Sequence, residues 1–459
     1  MQDAHRAGFG ATELRAGSGL QGRELASEGL DIALGRGRAA EVLAWAERWR
    51  ATTLRMTPVT APADPELTAT LAELRTVSAV VDGIAGGRLA TADRRRQHQL
   101  EQRVRELTRR IEGTRSLLRP PGVAALAAAL GPAVLLELVA HRGTLRAVVV
   151  RDGRAHLRTL GPLDDVRSCS RQHRFALRRL ITLHDAGRAL ETARDAAGRL
   201  DGLVLGPLRE LIGARPLVIA PVGELHALAW AALPGCSGRA VTVVPSAASW
   251  LQAATRPRLR AASPTGRAET GPAGGGVVLV AGPRLPEGER EVAALAAARP
   301  GATVLRGEAA GAEAVTAALR GAGLAHIAAH GTFRADAPLL SAVELADGPL
   351  TAYEMERLSP APEVVVLSAC DSGVSAVQPG DELLGLGAVL LGAGTRTLVA
   401  SVLPVPAGRT ADLMIGLHTR LHAGTTPAAA LAGAQHALSA EPDPLAFATA
   451  AAFRCIGAG

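Results

Sequence analysis

The chain has 459 residues, a net charge of +7, and 48% hydrophobic but only 2% aromatic residues. This apolar content excludes wholesale disorder and predicts two or three domains whose cores are built from Ala, Val and Leu. All 50 basic residues are arginines interleaved with acids, which indicates GC-rich codon usage rather than a nucleic-acid-binding patch.

Signal, membrane and cysteine patterns bear on the compartment. The first ten residues, MQDAHRAGFG, lack the charged-then-apolar pattern of a signal peptide. No uninterrupted apolar run reaches the roughly 18 residues of a membrane span. The cysteines are widely spaced and form no CxxC pair, which argues against a disulfide framework or a zinc site; they are Cys169, Cys236, Cys370 and Cys455. We therefore expect a cytoplasmic protein that binds neither membrane nor nucleic acid directly.

Residues 1–119 are predicted to be helical. Asp64 followed by Pro65 is typical of a helix start, and a long charged helix is predicted over 90–118. Apolar residues repeat along this helix at spacings of four, three and four: Leu100, Val104, Leu107 and Ile111. Such a narrow seam either binds a partner, as in a coiled coil, or packs on helices of the same chain.

After Pro120-Pro121 the pattern changes to alternating and apolar runs. Turn residues at 141–143 and 152–153 predict a three-stranded antiparallel meander. Helices are predicted near 165–182 and 190–213, followed by the strand PLVIAP. Residues 256–276 are rich in Pro, Gly, Ala and Arg without periodicity, and we expect a disordered linker there.

From residue 277 the predicted strands and helices alternate. The strands are GVVLVAG, ATVLRG, GLAHIAAH, EVVVLSA and RTLVASVL, with a helix near 382–393 before the last strand and helices from there to the end. This alternation predicts a mostly parallel sheet with helices on both faces. Chemistry in such sheets lies beyond the carboxyl ends of the strands.

Two predicted strand ends carry reactive side chains. His330 closes one strand and Cys370 closes the next, so both face the same rim if the strands are neighbours. An imidazole can deprotonate a thiol, and the thiolate can then attack a carbonyl carbon. The backbone N–H groups of Gly331 and Cys370 are candidate oxyanion donors, and Gly373 leaves the following loop conformationally free. A buried structural cysteine and a structural histidine are the alternative.

The stretch HIAAHG also raises the possibility of a metal pair, because His326 and His330 are four residues apart. It lacks the glutamate of HExxH, and no third ligand stands at a recognisable spacing. We therefore expect His326 to support the strand from the core. A metal-dependent hydrolase that uses both histidines is the remote alternative.

Three segments resemble the CHAT domain, a family of caspase- and separase-like cysteine peptidases: LAHIAAHG, VVVLSACDSG and PGDELLGLGAVLLGAGTRTLVASVLPV. Further matching phrases, such as APVGELHALAWAALPG, extend the resemblance over roughly 120–459. WAERWRATTLR and the helices before it resemble a degenerate tetratricopeptide repeat.

The resemblance implies an α/β fold: a caspase-like α/β/α sandwich with a mostly parallel central sheet, preceded by an antiparallel β-meander and an α-helical N-terminal region. We expect four parts. They are a helical region at 1–119, an N-terminal pseudo-caspase-like half at 120–255, a linker at 256–276 and a catalytic half at 277–459.

In that family the histidine of the HG pair is the general base and the cysteine of the SAC segment is the nucleophile. These positions correspond to His330 and Cys370, with His326, Ser368 and Gly373 in supporting places. The resemblance implies a cysteine endopeptidase that cleaves a protein substrate without metal or organic cofactor, regulated by a protein partner through the N-terminal helices. The alternative is a catalytically silent caspase-like scaffold that mediates protein–protein contacts.

The sequence departs from the family pattern near the site. Leu403 stands where the family often has a tryptophan before the proline of its SLWPV stretch, which affects packing. Residues 406–408, Pro-Ala-Gly, occupy a region where the family often has an aspartate. If that aspartate orients the site or sets specificity, its absence bears on activity.

Substrate preference rests on few residues. A pocket for a basic side chain needs a carboxylate, for which Asp371, Asp381 and Glu382 are candidates. Asp371 could instead cap local backbone, and Asp381 could be the N-cap of the next helix. Arg334 or Arg396 could line a pocket for an acidic side chain.

Overall fold

The computed structural model describes most of the chain. The described residues are 23–50, 64–83, 89–109, 120–182, 186–257, 275–369, 376–378 and 382–459. Residues 258–274 of the predicted linker, and Ile111 of the predicted seam, lie outside them.

The helices and strands are numbered here in chain order. The α-helices are α1 Arg23–Gly35, α2 Ala39–Trp49, α3 Pro65–Gly83, α4 Leu89–Arg109, α5 Val123–Leu130, α6 Leu163–Thr182, α7 Ala186–Val204, α8 Arg209–Ile212, α9 Ala247–Thr255, α10 Pro286–Ala298, α11 Ala312–Leu319, α12 Ala352–Met355, α13 Leu386–Ala393, α14 Ala407–His422, α15 Pro427–Ser439 and α16 Pro444–Ala452. The strands are β1 Val134–His141, β2 Thr144–Arg151, β3 Arg154–Pro162, β4 Leu217–Ala220, β5 Val241–Val243, β6 Val277–Ala281, β7 Thr303–Leu305, β8 Leu324–Ala328, β9 Gly331–Thr332, β10 Ala342–Leu345, β11 Gly348–Thr351, β12 Val364–Ser368, β13 Ala376–Gln378, β14 Glu382–Leu384, β15 Thr397–Ser401 and β16 Phe453–Gly457.

One large sheet runs through the described part of the molecule. Its eleven strands lie in the order β3-β2-β1-β4-β5-β16-β15-β12-β8-β6-β7. The strands of the meander β1–β3 are antiparallel, whereas β1 pairs with β4 in parallel. β16 lies between β15 and β5 in the middle of the sheet, antiparallel to β15 and parallel to β5. The strands before and after the linker therefore share one sheet.

Helices cover both faces of this sheet. Around β6, β8, β12 and β15, one face packs against α3, α4, α11, α12 and α13, and the other against α10, α14, α15 and α16. β8 shows the alternation that makes this possible, since Ala325 and Ile327 enter one core while Leu324 and Ala328 enter cores on the opposite face. Around β1, β2 and β4 the two faces pack against α6 and α7, and against α1, α2, α5 and α9. The predicted α/β/α sandwich with its meander and helical N-terminus is confirmed.

The N-terminal helices pack against the sheet as two separate hairpins. Helices α1 and α2 lie on the β1–β4 part, where Arg50 bonds to Glu137 of β1 at 2.7 Å in a buried pair. Helices α3 and α4 lie on the β8–β12 part. There the described seam residues Leu100, Val104 and Leu107 are buried within the same core. The seam therefore packs on its own chain, which agrees with the second of the two readings of the sequence.

Turn chemistry explains why the meander was predictable. Arg142 and Gly143 have φ of 46° and 71°, and Asp152 and Gly153 have φ of 47° and 77°. Positive φ at both central residues matches the right-handed twist of the flanking strands in two-residue hairpins, and Gly and Asp tolerate it best.

Several elements differ from the sequence-based expectation. Residues 453–457 form β16 rather than the end of a helical tail, and 382–384 form β14, so the predicted 382–393 helix starts only at Leu386. The strands β9, β10, β11 and β13 were also missed. In the described residues no helix combines the length and apolar character needed to cross a bilayer.

Candidate functional site

The site lies at the carboxyl ends of β8 and β12. These strands are adjacent and parallel, with Leu324 opposite Val364 and Ala328 opposite Ser368. His330 follows Ala328 by two residues, and Cys370 follows Ser368 by two residues in the sequence. The carboxyl ends of neighbouring parallel strands lie on the same side of a sheet. Cys370 itself lies outside the described residues, as do Asp371, Gly373 and Asp381.

The His330 side chain is exposed and oriented by a backbone carbonyl. Its Nε2 lies 3.1 Å from the carbonyl oxygen of Arg284, in the loop between β6 and α10. A carbonyl only accepts, so this bond requires the proton on Nε2 and leaves Nδ1 as a lone-pair acceptor. The ring is thereby set in the tautomer that a general base needs.

The loop that carries Arg284 has a constrained backbone. Arg284 has φ of 56°, which is uncommon for a residue with a side chain. A Cβ placed on Gly282 would lie 2.7 Å from Ala329 Cβ and 2.7 Å from the Glu344 carbonyl oxygen. Only glycine therefore permits this close approach of the loop to the segment that carries His330. No motif in the sequence indicated the role of this loop.

Gly331 opens β9, and its N–H group is directed away from the neighbouring strand. The His330 carbonyl accepts from the N–H of Glu344 in β10 at 2.9 Å. In a trans peptide the C=O of His330 and the N–H of Gly331 point in opposite directions. The Gly331 N–H is therefore not used by pairing with β10, as an oxyanion donor requires.

His326 belongs to a buried polar cluster on the α10 and α14 side of the sheet. Its Nε2 lies 2.8 Å from Glu291 Oε1, a close ion-pair contact whose angle is outside hydrogen-bond geometry. Its Nδ1 lies 3.2 Å from His418 Nε2. The Ser368 hydroxyl donates to Glu291 Oε2 at 3.2 Å. The structure thus joins two of the predicted supporting residues, His326 and Ser368, through a glutamate that the sequence did not single out.

The cluster contains one histidine that stays neutral. Burial, and then the charges of His326 and Arg299, hold the pKa of His418 well below its usual range. One of the two facing ring nitrogens, His326 Nδ1 or His418 Nε2, carries the proton between them. The pair stacks edge to face with ring centroids 4.9 Å apart.

The described cysteines do not resemble nucleophiles. Cys169, Cys236 and Cys455 are all buried and free. Burial raises the pKa of the Cys236 and Cys455 thiols to about 12 and also raises the pKa of Cys169. Thiols with such values are protonated at neutral pH and inert.

The charged candidates for substrate binding have different surroundings. Glu382 begins β14, opposite Gln378. The N-cap of α13 is Gly385, so an N-cap role for Asp381 in the next helix is wrong. Arg334 is held by Glu101 and Asp336, and the hydrogen bond from Arg334 lowers the pKa of Asp336 to about 2. Arg396 donates to backbone carbonyls at the end of α9. Both arginines thus already have partners within the chain.

The two histidines of HIAAHG have separate partners, the Arg284 carbonyl for His330 and the Glu291 cluster for His326. Among the described residues no group of three or more His, Cys, Asp and Glu side chains is arranged to hold a metal ion. The two histidines therefore lie in different surroundings, His330 exposed and His326 buried.

Comparisons with known proteins agree with this architecture. The CHAT domain family matches residues 194–458. Curated protein sequences give no match. A Saccharomyces cerevisiae separase–securin complex is similar with a TM-score of 0.51 at 10% identity, covering 97% of this chain and 40% of that chain. The chain thus spans less than half the length of the separase chain.

The Arg-specific cysteine proteinase gingipain R is similar at 10% identity with a TM-score of 0.39, covering 64% of this chain and 75% of that chain. A complex of Porphyromonas gingivalis RgpB pro- and mature domains is similar at 10% identity with a TM-score of 0.36, covering 64% of this chain and 77% of that chain. At such identities a likeness concerns the fold alone. The family match spans more than half of the residues, and the chain belongs to the CHAT domain family.

Proposed function

We propose that the protein is a cysteine endopeptidase that cleaves a protein substrate, with Cys370 as nucleophile and His330 as general base. The observation that carries the proposal is the register of β8 and β12, in which Ala328 is opposite Ser368. In the sequence, His330 stands two residues after Ala328, and Cys370 stands two residues after Ser368. Cleavage of a peptide library by the wild type, and its loss in Cys370→Ala, test the proposal.

The geometry of His330 supports a definite sequence of steps. Nδ1 takes the proton of the Cys370 thiol, and the thiolate attacks the scissile carbonyl carbon. The Arg284 carbonyl stabilises the imidazolium through Nε2–H, and the N–H groups of Gly331 and Cys370 bind the oxyanion. His330 then donates the proton to the leaving amine, and water hydrolyses the thioester. The mechanism uses no metal or organic cofactor.

Substrate contacts belong to the segment after Cys370. Asp371, Asp381 and Glu382 are the proposed carboxylates for a basic substrate side chain, and Gly373 the proposed flexible point of the loop. The two arginines considered for an acidic side chain already have partners, which favours the basic preference.

We also propose that a protein partner regulates the site through the N-terminal helices. The proposed division is a helical region at 1–119, two halves at 120–255 and 277–459, and a linker at 256–276. Helix α4 contacts the segment after His330, because Arg334 Nη1 lies 2.9 Å from Glu101 Oε1. Helix α3 contacts the β10–β11 turn, where Arg75 pairs with Asp347 at 3.1 Å, and it contacts α12 through a pair between Arg75 and Glu354. A partner that shifts this hairpin would shift the strands next to His330.

Gly282→Ala is expected to lower activity by moving the loop that orients His330. The added methyl meets Ala329 Cβ and the Glu344 carbonyl at 2.7 Å, so the backbone must shift. We expect a loss of about 1–3 kcal/mol in the free energy of unfolding, typical of overpacking, and a fall in kcat of about 10- to 100-fold. Peptide cleavage kinetics and thermal melting measure both.

Gly276→Ala is the matched control, since a Cβ there meets nothing within 4 Å and the residue precedes the same strand. Its kcat should equal the wild type. If Gly282→Ala keeps full kcat while losing stability, the loop does not orient the base.

Glu101→Gln is expected to weaken the coupling between α4 and the site. The variant removes the negative charge that pairs with Arg334, and Arg334 is four residues after His330. Coupling terms of about 0.5–2 kcal/mol predict a change in kcat/KM of roughly 2- to 30-fold. The control is Glu106→Gln on the same helix, whose exposed carboxylate pairs only locally with Arg103. Equal kcat/KM in the two variants would remove the α4 contact as a route of regulation.

A further inference from the structure

Helix α10 and the loop before it contact both of the strands that lead to the proposed dyad. The loop that leads into α10 provides the Arg284 carbonyl to His330. Glu291, in the middle of α10, contacts Ser368 of β12 and His326 of β8. Helix α10 therefore contacts the end of β12 and the middle of β8, the two strands that lead to the site.

Glu291 is buried to an extent that calls for an explanation. It is 2% exposed, and its neighbours His326, Ser368 and His418 are 0%, 5% and 3% exposed. A buried carboxylate costs several kcal/mol unless it is paired and hydrogen-bonded. An apolar residue at this point of α10 would pack with Val292 and Leu295 at no such cost. The chain thus has a carboxylate at a buried position where an apolar residue would avoid the cost of desolvation.

The positions that Glu291 contacts are set by strand geometry. His326 and Ala328 alternate with their neighbours along β8 and so lie on one face of the sheet, and Ser368 ends β12 opposite Ala328. Ser368 and Cys370 are two residues apart, so the chain allows at most about 7 Å between their Cα atoms. A carboxylate that bonds to Ser368 fixes the strand immediately before the nucleophile.

The other side of the cluster is closed by α14. His418 contacts His326 Nδ1, and its own backbone carbonyl accepts from Arg299 Nη2 at 3.1 Å, at the end of α10. Burial, and then neighbouring charge, hold the pKa of His418 well below its usual range. The ring of His326 is thus contacted at both nitrogens, by His418 at Nδ1 and by Glu291 at Nε2.

We propose that Glu291 is a positioning residue for the peptidase reaction, bridging Ser368 and His326 so that the ends of β12 and β8 hold the nucleophile and the base in register. The inference rests on the proposed function. It extends that function to a residue that touches neither substrate nor reacting atoms. His418 holds His326 in the same arrangement.

The test compares Glu291→Gln with Glu287→Gln. Glu287 is on the same helix but only partly buried, and pairs locally with Arg290. Two readouts are used: kcat and KM on a peptide that the wild type cleaves, and the rate of Cys370 alkylation by iodoacetamide, followed by peptide mapping. Glu291→Gln should lower kcat and the alkylation rate about 10- to 100-fold, with KM within about twofold, because misplacement of about 1 Å costs that much. Glu287→Gln should match the wild type in both.

A second pair of variants covers the case in which Glu291→Gln fails to fold. Ser368→Ala removes the donor to Glu291, whereas Ser368→Thr keeps a hydroxyl on a strand that favours β-branched residues. We expect Ser368→Ala to lower kcat and the alkylation rate about 3- to 10-fold, which corresponds to the typical net contribution of one hydrogen bond. Ser368→Thr should restore most of the loss.

His330→Ala separates failure of the inference from failure of the proposed function. If His330→Ala slows Cys370 alkylation but folded Glu291→Gln and Ser368→Ala do not, the cluster is only structural and the inference is wrong. If His330→Ala leaves Cys370 alkylation unchanged, the dyad does not exist and both proposals fall.

Discussion

Cys370→Ala is expected to abolish peptide cleavage, and His330→Ala to lower kcat by about 100- to 10,000-fold, the usual contribution of a general base. Without the thiol no covalent intermediate forms, and the three described cysteines are buried and cannot replace it. Without the imidazole the thiol of Cys370 stays largely protonated at neutral pH. The alanine variants should otherwise fold like the wild type.

The measurement is cleavage of a peptide library, followed by mass spectrometry, with circular dichroism as a check on folding. Cys169→Ala and His98→Ala are matched controls, since Cys169 is a buried thiol on α6 and His98 lies exposed on α4. Both should cleave like the wild type. Equal turnover by the wild type and Cys370→Ala, or none by either with a candidate partner bound, would favour the non-catalytic scaffold.

Arg50→Met is expected to cost about 3–5 kcal/mol in the free energy of unfolding, the typical loss when one member of a buried ion pair is removed. The Arg50 and Glu137 side chains are 4% and 0% exposed, and their charged atoms lie 2.7 Å apart. Arg50 also donates to the Ala220 carbonyl at 3.1 Å and to the Leu138 carbonyl at 2.5 Å. The residue thus attaches the end of α2 to β1 and β4.

Urea unfolding of the full chain measures this loss. Arg38→Met on the same helix is the control, because its pair with Glu41 is on the surface and should contribute under about 1 kcal/mol. The double variant Arg50→Met/Glu137→Leu should be more stable than Arg50→Met, since it removes both charges. A loss of less than about 1 kcal/mol for Arg50→Met would mean that α1 and α2 are not integral to the sheet.

Elements with strong local patterns were predictable from the sequence. The apolar runs of β6, β8, β12 and β15 and the glycine turns of the meander are local signals, and all appear in the structure. β16 was missed because FRCIG is short and follows an alanine-rich helix without a turn signal. Its parallel partner, β5, lies some 210 residues earlier, and the pairing is therefore invisible to periodicity. β9, with two residues, has no period at all.

The same limit applies to the site. His330 and His326 were distinguishable because a glycine follows only His330, at the end of a predicted strand. The roles of Arg284 and Glu291 could not be predicted, because each contacts a partner that is tens of residues away in the sequence. In the sequence EREVAALAA, Glu291 reads as one more charge on a surface helix. Only the packing of α10 against β8 and β12 shows that it is buried.

The central claim, that His330 and Cys370 share a proton, is tested most directly by the pH dependence of Cys370 alkylation with iodoacetamide. In the wild type the apparent pKa of the Cys370 thiol should lie below the usual value of about 8.5. In His330→Ala it should return towards that value, with slower alkylation at neutral pH. Superimposable pH profiles for Cys370 in the two proteins would contradict the account.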